Sequence, residues 1–260
     1  MFFSSCKLMG GLGNYLFQIS AAYTIALRDS KKLVCDLSDE FSAHNSFTYY
    51  SNNIFRKIES VKSIPPYIPI GQNEFSFKEI PIVNNHTKLF GYFQSEKFFL
   101  KYKREILELF EIDEKTNEYL IQKYEDLLNK ETCSIHVRRG DYLGLPQFHP
   151  TQDMDFYEKS VKEIGDDKHF LIFSDDIHWC EENLTFIKNK IFVKGNKDYE
   201  DLYLMSFCKD NIICNSTFSW WGAWLNKNST KKVIAPKKWF GNSNLHFETK
   251  DLYCDKWLII

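Results

Sequence analysis

The chain has seven cysteines (Cys6, Cys35, Cys133, Cys180, Cys208, Cys214, Cys254) but no Cys-x-x-Cys pair and no Cys/His ligand spacing. They read as reduced, mostly buried thiols, which argues against a disulfide scaffold and a structural zinc site. There is no surplus of positive charge either. Lys and Arg total 33 against 35 Asp and Glu, a net charge of −2, so no broad basic surface can follow a nucleic-acid backbone. The N-terminus "MFFSSCKLMGG" lacks a basic n-region and a long apolar h-region, and no run approaches the roughly 20 apolar residues of a membrane span. A soluble, cytoplasmic protein is expected. Two phosphate-binding fingerprints are also missing. "GGLGNYL" is not G-x-G-x-x-G, because Leu16 stands where the third glycine belongs, and G-x-x-x-x-G-K-[ST] occurs nowhere. A dinucleotide enzyme and a P-loop NTPase both lose ground.

What is present suits an α/β protein. The 260 residues fit one large domain or two compact halves, and 43% hydrophobic with 26% charged residues is ordinary globular usage. "FFSSCKLM" reads as a strand ending at the glycine turn "GGLGN". "YLFQISAAYTIALRDS" places apolar residues at 15, 16, 19, 22, 23, 26 and 27, a helical stripe, and "KKLVCD" reads as a second strand. This βαβ opening implies parallel strands. From about 40 to 88 only loops and short elements are expected. "KLFGYFQS" resumes as a strand before two helices. The second half then runs strand "CSIHVRR", helix "DFYEKSVKEI", strand "HFLIFSDD", helix "IHWCEENL", strand "KIFVK", helix "YEDLYLMSFC", strand "NIICNS", helix "TFSWWGAWLN" and strand "KKVIAP". Strands alternating with helices predict a doubly wound sheet. The expected division is an N-terminal domain over 1–130 and a Rossmann-like domain over 131–260.

Open parallel sheets bind ligands beyond the carboxyl ends of their strands. Three polar clusters fall there: His136, Arg138, Arg139 and Asp141; Ser174, Asp175 and Asp176; and Asn215, Ser216, Thr217 and Ser219. Only five basic residues are arginine (Arg28, Arg56, Arg104, Arg138, Arg139), and two of them are adjacent, which points to bidentate donors for phosphate. Strand alternation sends His136 and Arg138 one way and Arg139 the other, so one arginine can meet a ligand while its neighbour braces the loop. Gly140 permits a sharp turn there. The third cluster opens a helix, whose free N–H groups suit a diphosphate. The paired aspartates suit ribose hydroxyls or the N–H edge of a guanine. "DMD" at 153–155 matches the D-x-D of metal-dependent glycosyltransferases, but it directly precedes a helical pattern, so capping is the favoured reading.

"GGLGNYLFQ", "GYFQSEKFF", "IHVRRGDYL", "FSDD", "NSTFSWWGAWLN" and "APKKWF" occur in order over residues 10–240, and together they resemble the α-1,2-fucosyltransferases of glycosyltransferase family 11. The resemblance implies a GT-B-like α/β architecture, two Rossmann-type domains facing a cleft, with the 1–130 domain on the acceptor side and the 131–260 domain binding GDP-fucose. It implies inverting transfer of L-fucose from GDP-β-L-fucose to the 2-hydroxyl of a terminal β-galactose, with no metal or other cofactor. Partners would be that donor and a galactose-terminated glycan, with peripheral association with membrane-borne glycan precursors. On this pattern Arg138 binds the β-phosphate, with His136, Arg139 and Asp141 shaping the pocket, and Asp141 is a candidate base alongside His149. Asp175 or Asp176 approaches guanine or ribose. Thr217, Phe218, Ser219 and Trp220 receive the diphosphate and fucose, and Gly11, Asn14 and Gln18 neighbour donor or acceptor. Family members usually carry Gln where this chain has Tyr15. Transfer of a different GDP-sugar, a GDP-sugar hydrolase and a non-catalytic binding protein are the alternatives.

Overall fold

The computed structural model describes residues 1–40, 44–72 and 74–260. They form two compact units: Met1–Asp113 with Glu248–Cys254, and Glu114–Phe247 with Asp255–Ile260.

In the first unit, β1 (Phe3–Cys6) leads through the glycine turn into α1 (Leu12–Arg28) and returns as β2 (Lys32–Leu33), parallel to β1. Of the expected stripe Tyr15, Leu16, Ile19, Ala22 and Ala26 bury on α1 while Tyr23 and Leu27 stay half-buried, and Leu12, Phe17, Ala21 and Ile25 bury as well, so more of the helix is covered than the one stripe. Each large side chain buried this way stabilises by about 1.5–3 kcal/mol. β3 (Cys35–Asp36) pairs with β4 (Ser60–Val61) beyond the short helix α2 (Phe47–Tyr50). β5 (Ile68–Gly71) and β6 (Thr87–Phe90) complete a parallel sheet in the order β2-β1-β6-β5. β5 is one of the short elements expected between about 40 and 88, and its place in a sheet is not legible in the sequence. Its sequence hides it because Pro69 lacks a ladder donor and three of its four residues are exposed, both features of an edge strand. The 3₁₀ turns Glu96–Phe98 and Leu100–Tyr102 and helix α3 (Lys103–Leu109) follow.

The second unit begins with α4 (Glu114–Leu128), earlier than the break expected near 130. The reason is packing: Tyr124 Oη on α4 accepts from Asn196 Nδ2 at 2.9 Å, just before α7 (Asp198–Phe207). Residues Glu248–Cys254 rejoin the first unit, where Asp251 accepts from the Phe77 N–H at 2.9 Å and pairs with Lys97. The remaining elements are β7 (Thr132–Val137), α5 (Met154–Ile164), β8 (His169–Ser174), α6 (Ile177–Asn183), β9 (Lys190–Phe192), β10 (Asp210–Ile212), α8 (Thr217–Leu225), β11 (Val233–Ala235) and β12 (Leu258–Ile259). All six strands are parallel, in the order β12-β11-β10-β7-β8-β9. β7 is buried along its whole length, and its core partners include Phe156, Val161 and Ile164 on α5 and Ile172 on β8. No helix among the described residues is long and apolar enough to cross a membrane.

Candidate active site

The chain leaves β7 toward β8 and β9 on one side, then builds β10 to β12 on the other. Such a reversal opens a crevice past the carboxyl ends of β7 and β10, and the polar clusters at 136–141 and 214–219 emerge there.

Arg138 is held from one side. Its Nε lies 3.1 Å from Asp175 Oδ2 and 3.0 Å from Asp141 Oδ1, and Nη2 lies 2.8 Å from the same Asp141 oxygen. Its guanidinium carbon sits 5.7 Å from the centre of the Tyr142 ring. Among the described residues Nη1 has no partner, so the guanidinium is fixed at one edge and open at the other. Burial works against its charge, but Asp175 and Asp141 outweigh this and raise its pKa. Gly140 makes the arrangement possible by close approach: a Cβ there would stand 2.6 Å from Asp175 Oδ2. Arg139 turns away, stacking 4.1 Å over the Trp179 ring with Nε 3.1 Å from Asp176 Oδ2.

The two aspartates, expected to face guanine or ribose, hold the arginines, and neither is buried. Asp175 Oδ1 accepts from the Arg139 N–H at 2.9 Å while Oδ2 meets Arg138, and Asp176 Oδ1 caps α6 by accepting from the Trp179 N–H at 3.1 Å while Oδ2 meets Arg139. Two guanidinium charges thus face three carboxylates, Asp141, Asp175 and Asp176, giving a cluster with net charge −1 (2 − 3). The strand end presents one directed donor edge, not an excess of positive charge.

Behind Arg138, His136 is 6% exposed and its Nδ1 lies 3.2 Å from Cys214 Sγ. Burial, reinforced by Arg138, pushes the imidazole pKa down to about 3, and burial pushes the Cys214 thiol up to about 12. Both are uncharged at neutral pH. The Phe218 ring packs 5.6 Å from that of His136. Ser216 caps α8, its Oγ accepting from the Phe218 N–H at 3.3 Å. Thr217 and Phe218 are half-buried in the first turn, whereas Ser219 is buried and donates to the Ser216 carbonyl. Trp220 is wholly buried against Trp221, Trp224 and Trp257, so the expected sugar contact is instead part of the core. The loop after Gly140 is tied down by Asn215: its carbonyl accepts from Tyr142 Oη at 2.9 Å, and its Nδ2 donates to the Pro150 and Trp239 carbonyls. His149 stacks on Tyr142 at 5.0 Å, and burial lowers its pKa. The D-M-D residues serve α5: Asp153 caps it and Asp155 pairs with Lys159.

Gly11, Asn14 and Gln18 belong to the other unit. A Cβ on Gly10 (φ +84°) would stand 2.3 Å from Asn14 Nδ2, and one on Gly11 would stand 2.9 Å from the His44 ring, so the paired glycines make room for these two side chains. Gln18 is 0% exposed, accepting from the Met9 N–H at 3.0 Å and donating to the Met9 carbonyl at 3.2 Å. It staples the turn and is out of reach of a ligand. Tyr15 is also fully buried and donates to Glu40 Oε1 at 2.8 Å.

The profile of glycosyl transferase family 11 matches residues 5–260. The chain belongs to this family. The O-antigen biosynthesis glycosyltransferase WbnK of Escherichia coli is 34% identical over 98% of this chain and 99% of its own length, and an α-1,2-colitosyltransferase of Escherichia coli is 30% identical over 98% and 97%. A crystal structure of the α-1,6-fucosyltransferase NodZ from Bradyrhizobium, co-crystallised with GDP, covers 85% of this chain and 92% of its own with a TM-score of 0.57 at 15% identity. The fold of this family 11 chain is accordingly GT-B-like, an α/β protein built on parallel sheets. Within that fold, sequence reading overlooked Tyr142, although "RRGDYL" displays it, and it passed over Cys214 because a buried thiol looks like core.

Proposed function

We propose that this family 11 glycosyltransferase moves L-fucose from GDP-β-L-fucose to the 2-hydroxyl of a terminal β-galactose, with inversion and without a metal ion. The observation that carries the reading is the open Nη1 edge of Arg138, fixed by Asp175 and Asp141 at the reversal of the sheet and close in the fold to the first turn of α8. Such an edge suits the β-phosphate of a departing GDP. The acceptor oxygen attacks the anomeric carbon from the face opposite GDP, and the carbon–oxygen bond to the β-phosphate breaks with its electron pair passing to GDP. Arg138 and the free N–H groups of α8 stabilise the charge that grows on the phosphate. The hydroxyl proton passes to Asp141, whose carboxylate is 48% exposed, or to water. His136 stays neutral and leaves Arg138 as the cation of the pocket. In this reading the second unit binds the donor and the first meets the acceptor.

A second reading is favoured by the colitosyltransferase relative, 30% identical over nearly the whole chain: the donor sugar is colitose, which is L-fucose lacking its 3-hydroxyl. Both are tested together by incubating the protein, in EDTA, with lactose and either GDP-fucose or GDP-colitose, and identifying products by mass spectrometry and NMR linkage analysis. A 2′-fucosylated lactose supports the first reading, and product from GDP-colitose alone supports the second. GDP and free sugar without transfer, over a panel of galactosides, would replace both with a hydrolase. Activity lost in EDTA and restored by Mn²⁺ would overturn the metal-free step.

A further inference from the structure

The first unit has its own sheet reversal, between β1 and β6, and two amides meet at it. Gln94 Nε2 donates to Asn14 Oδ1 at 2.9 Å. Two amides joined by one hydrogen bond keep one donor group and one acceptor oxygen in reserve, whichever way round the pair is assigned. Here these are Asn14 Nδ2 and Gln94 Oε1. Among the described residues neither has a protein partner, and neither is sealed off as a buried unsatisfied atom. Gln94 is 8% exposed and Asn14 half-buried, and a pair so placed without a role would be expected to close on itself or on the backbone.

The backbone on both sides is bent to bring the two together. Gly10 is left-handed at φ +84°, and Asn14 folds back over it. Phe93, immediately before Gln94, is left-handed at φ +53°, a conformation that costs about 1–3 kcal/mol in a bulky residue and persists only where its surroundings enforce it. The enforcement is visible: Gln72 Oε1 accepts from the N–H groups of Tyr92 and Phe93 at 3.0 and 2.8 Å.

We propose that the Asn14–Gln94 pair is a clamp for two adjacent hydroxyls of a sugar ring, one donating to the free amide oxygen and the other accepting from the free amide nitrogen. Its position at the carboxyl ends of β1 and β6 is where an open parallel sheet receives a ligand. The inference rests on the glycosyl-transfer reading only for which sugar arrives, the galactoside acceptor.

The test uses the full chain and its Gln94→Leu variant, which keeps approximate bulk and removes both polar atoms. Binding of methyl β-galactoside, GDP-fucose and GDP is measured by saturation-transfer NMR and calorimetry, beside the KM for lactose. If the clamp takes the acceptor, galactoside affinity falls and the lactose KM rises about tenfold, with GDP-fucose binding unchanged. GDP-fucose weakened about tenfold with galactoside binding unchanged would overturn the acceptor assignment. Unaltered binding of all three by a variant with an unaltered melting temperature overturns the proposal. The binding arms are read without turnover, so failure of the transferase reading would appear as absent product with the clamp still measurable. Should the leucine variant not fold, Gln94→Glu is used: its carboxylate captures the Asn14 donor, and the same losses are expected.

Discussion

Replacing His136 by glutamine removes a titrating group whose contribution to stability follows directly from its surroundings. The imidazole is 6% exposed, and burial first, then Arg138, brings its pKa from 6.5 to about 3. A base whose folded pKa is depressed binds fewer protons in the folded state than in the unfolded chain, so its contribution is fully present above pH 6.5 and is lost as pH falls toward 3. The slope is about 1.4 kcal/mol per pH unit, which amounts to about 2 kcal/mol lost by pH 5 and about 4–5 kcal/mol by pH 3. His149, whose pKa burial also lowers, adds a slope of its own, but this is common to both proteins and cancels in the comparison. The assay is urea unfolding followed by tryptophan fluorescence between pH 7.5 and 5. All six tryptophans (Trp179, Trp220, Trp221, Trp224, Trp239, Trp257) lie in the second unit, so the signal reports the unit that holds His136. The stability gap between wild type and His136→Gln should shrink by about 2 kcal/mol on going from pH 7 to pH 5. A gap that stays constant would mean that His136 titrates normally and that burial beside Arg138 does not depress its pKa.

Three other changes bear on the site and its support. Arg138→Lys keeps the charge but loses the fork that two carboxylates hold while Nη1 stays open, and kcat with GDP-fucose should fall about 10²- to 10³-fold, with melting temperature as the control for folding. Asp141→Asn removes one of three carboxylates around two arginines; calorimetry should show GDP binding about three- to tenfold tighter, while kcat falls about 10²-fold if the carboxylate takes the proton. Gly222→Ala places a Cβ 2.9 Å from Met205 Cβ where α8 meets α7, and the same fluorescence titration should show a loss of about 1–3 kcal/mol.

Periodicity made most of the second unit legible, and the failures have local causes. β7 is an apolar run that ends in charge, "CSIHVRR", so both the strand and the strand-end site could be placed from the sequence. β12 could not: it has only two residues, both exposed, and follows a segment that rejoins the other unit. α4 groups with the second compact unit although the expected break near 130 set it in the first; its link to Asn196 through Tyr124 is a long-range contact with no local trace. Lys88, in the middle of β6, shows the same limit more sharply. A lysine in a four-residue strand reads as a solvent-facing position, yet this one is 1% exposed and is neutralised by Asp36 at 2.8 Å and Asp39 at 2.6 Å, both far away in sequence.

The site shows what residue types can and cannot convey. Arginines at the end of a buried strand pointed to an anion site, and the open edge of Arg138 is compatible with one. Their number suggested positive charge, but the sign of the cluster is set by Asp175 and Asp176, which arrive from β8 and consume the cations that the sequence displays together. Gly140 is the residue that links the two facts. Read locally it permits a turn, but in the fold it is the gap through which Asp175 reaches both arginines, which makes Gly140→Ala a test of the whole arrangement. The added Cβ should push Asp175 away and release the fixed edge of Arg138. Donor affinity should then fall while the unfolding transition of the second unit moves by about 1–3 kcal/mol. An alanine variant with wild-type GDP affinity would show that Arg138 keeps its orientation without Asp175, and that Asp141 alone is enough to hold it.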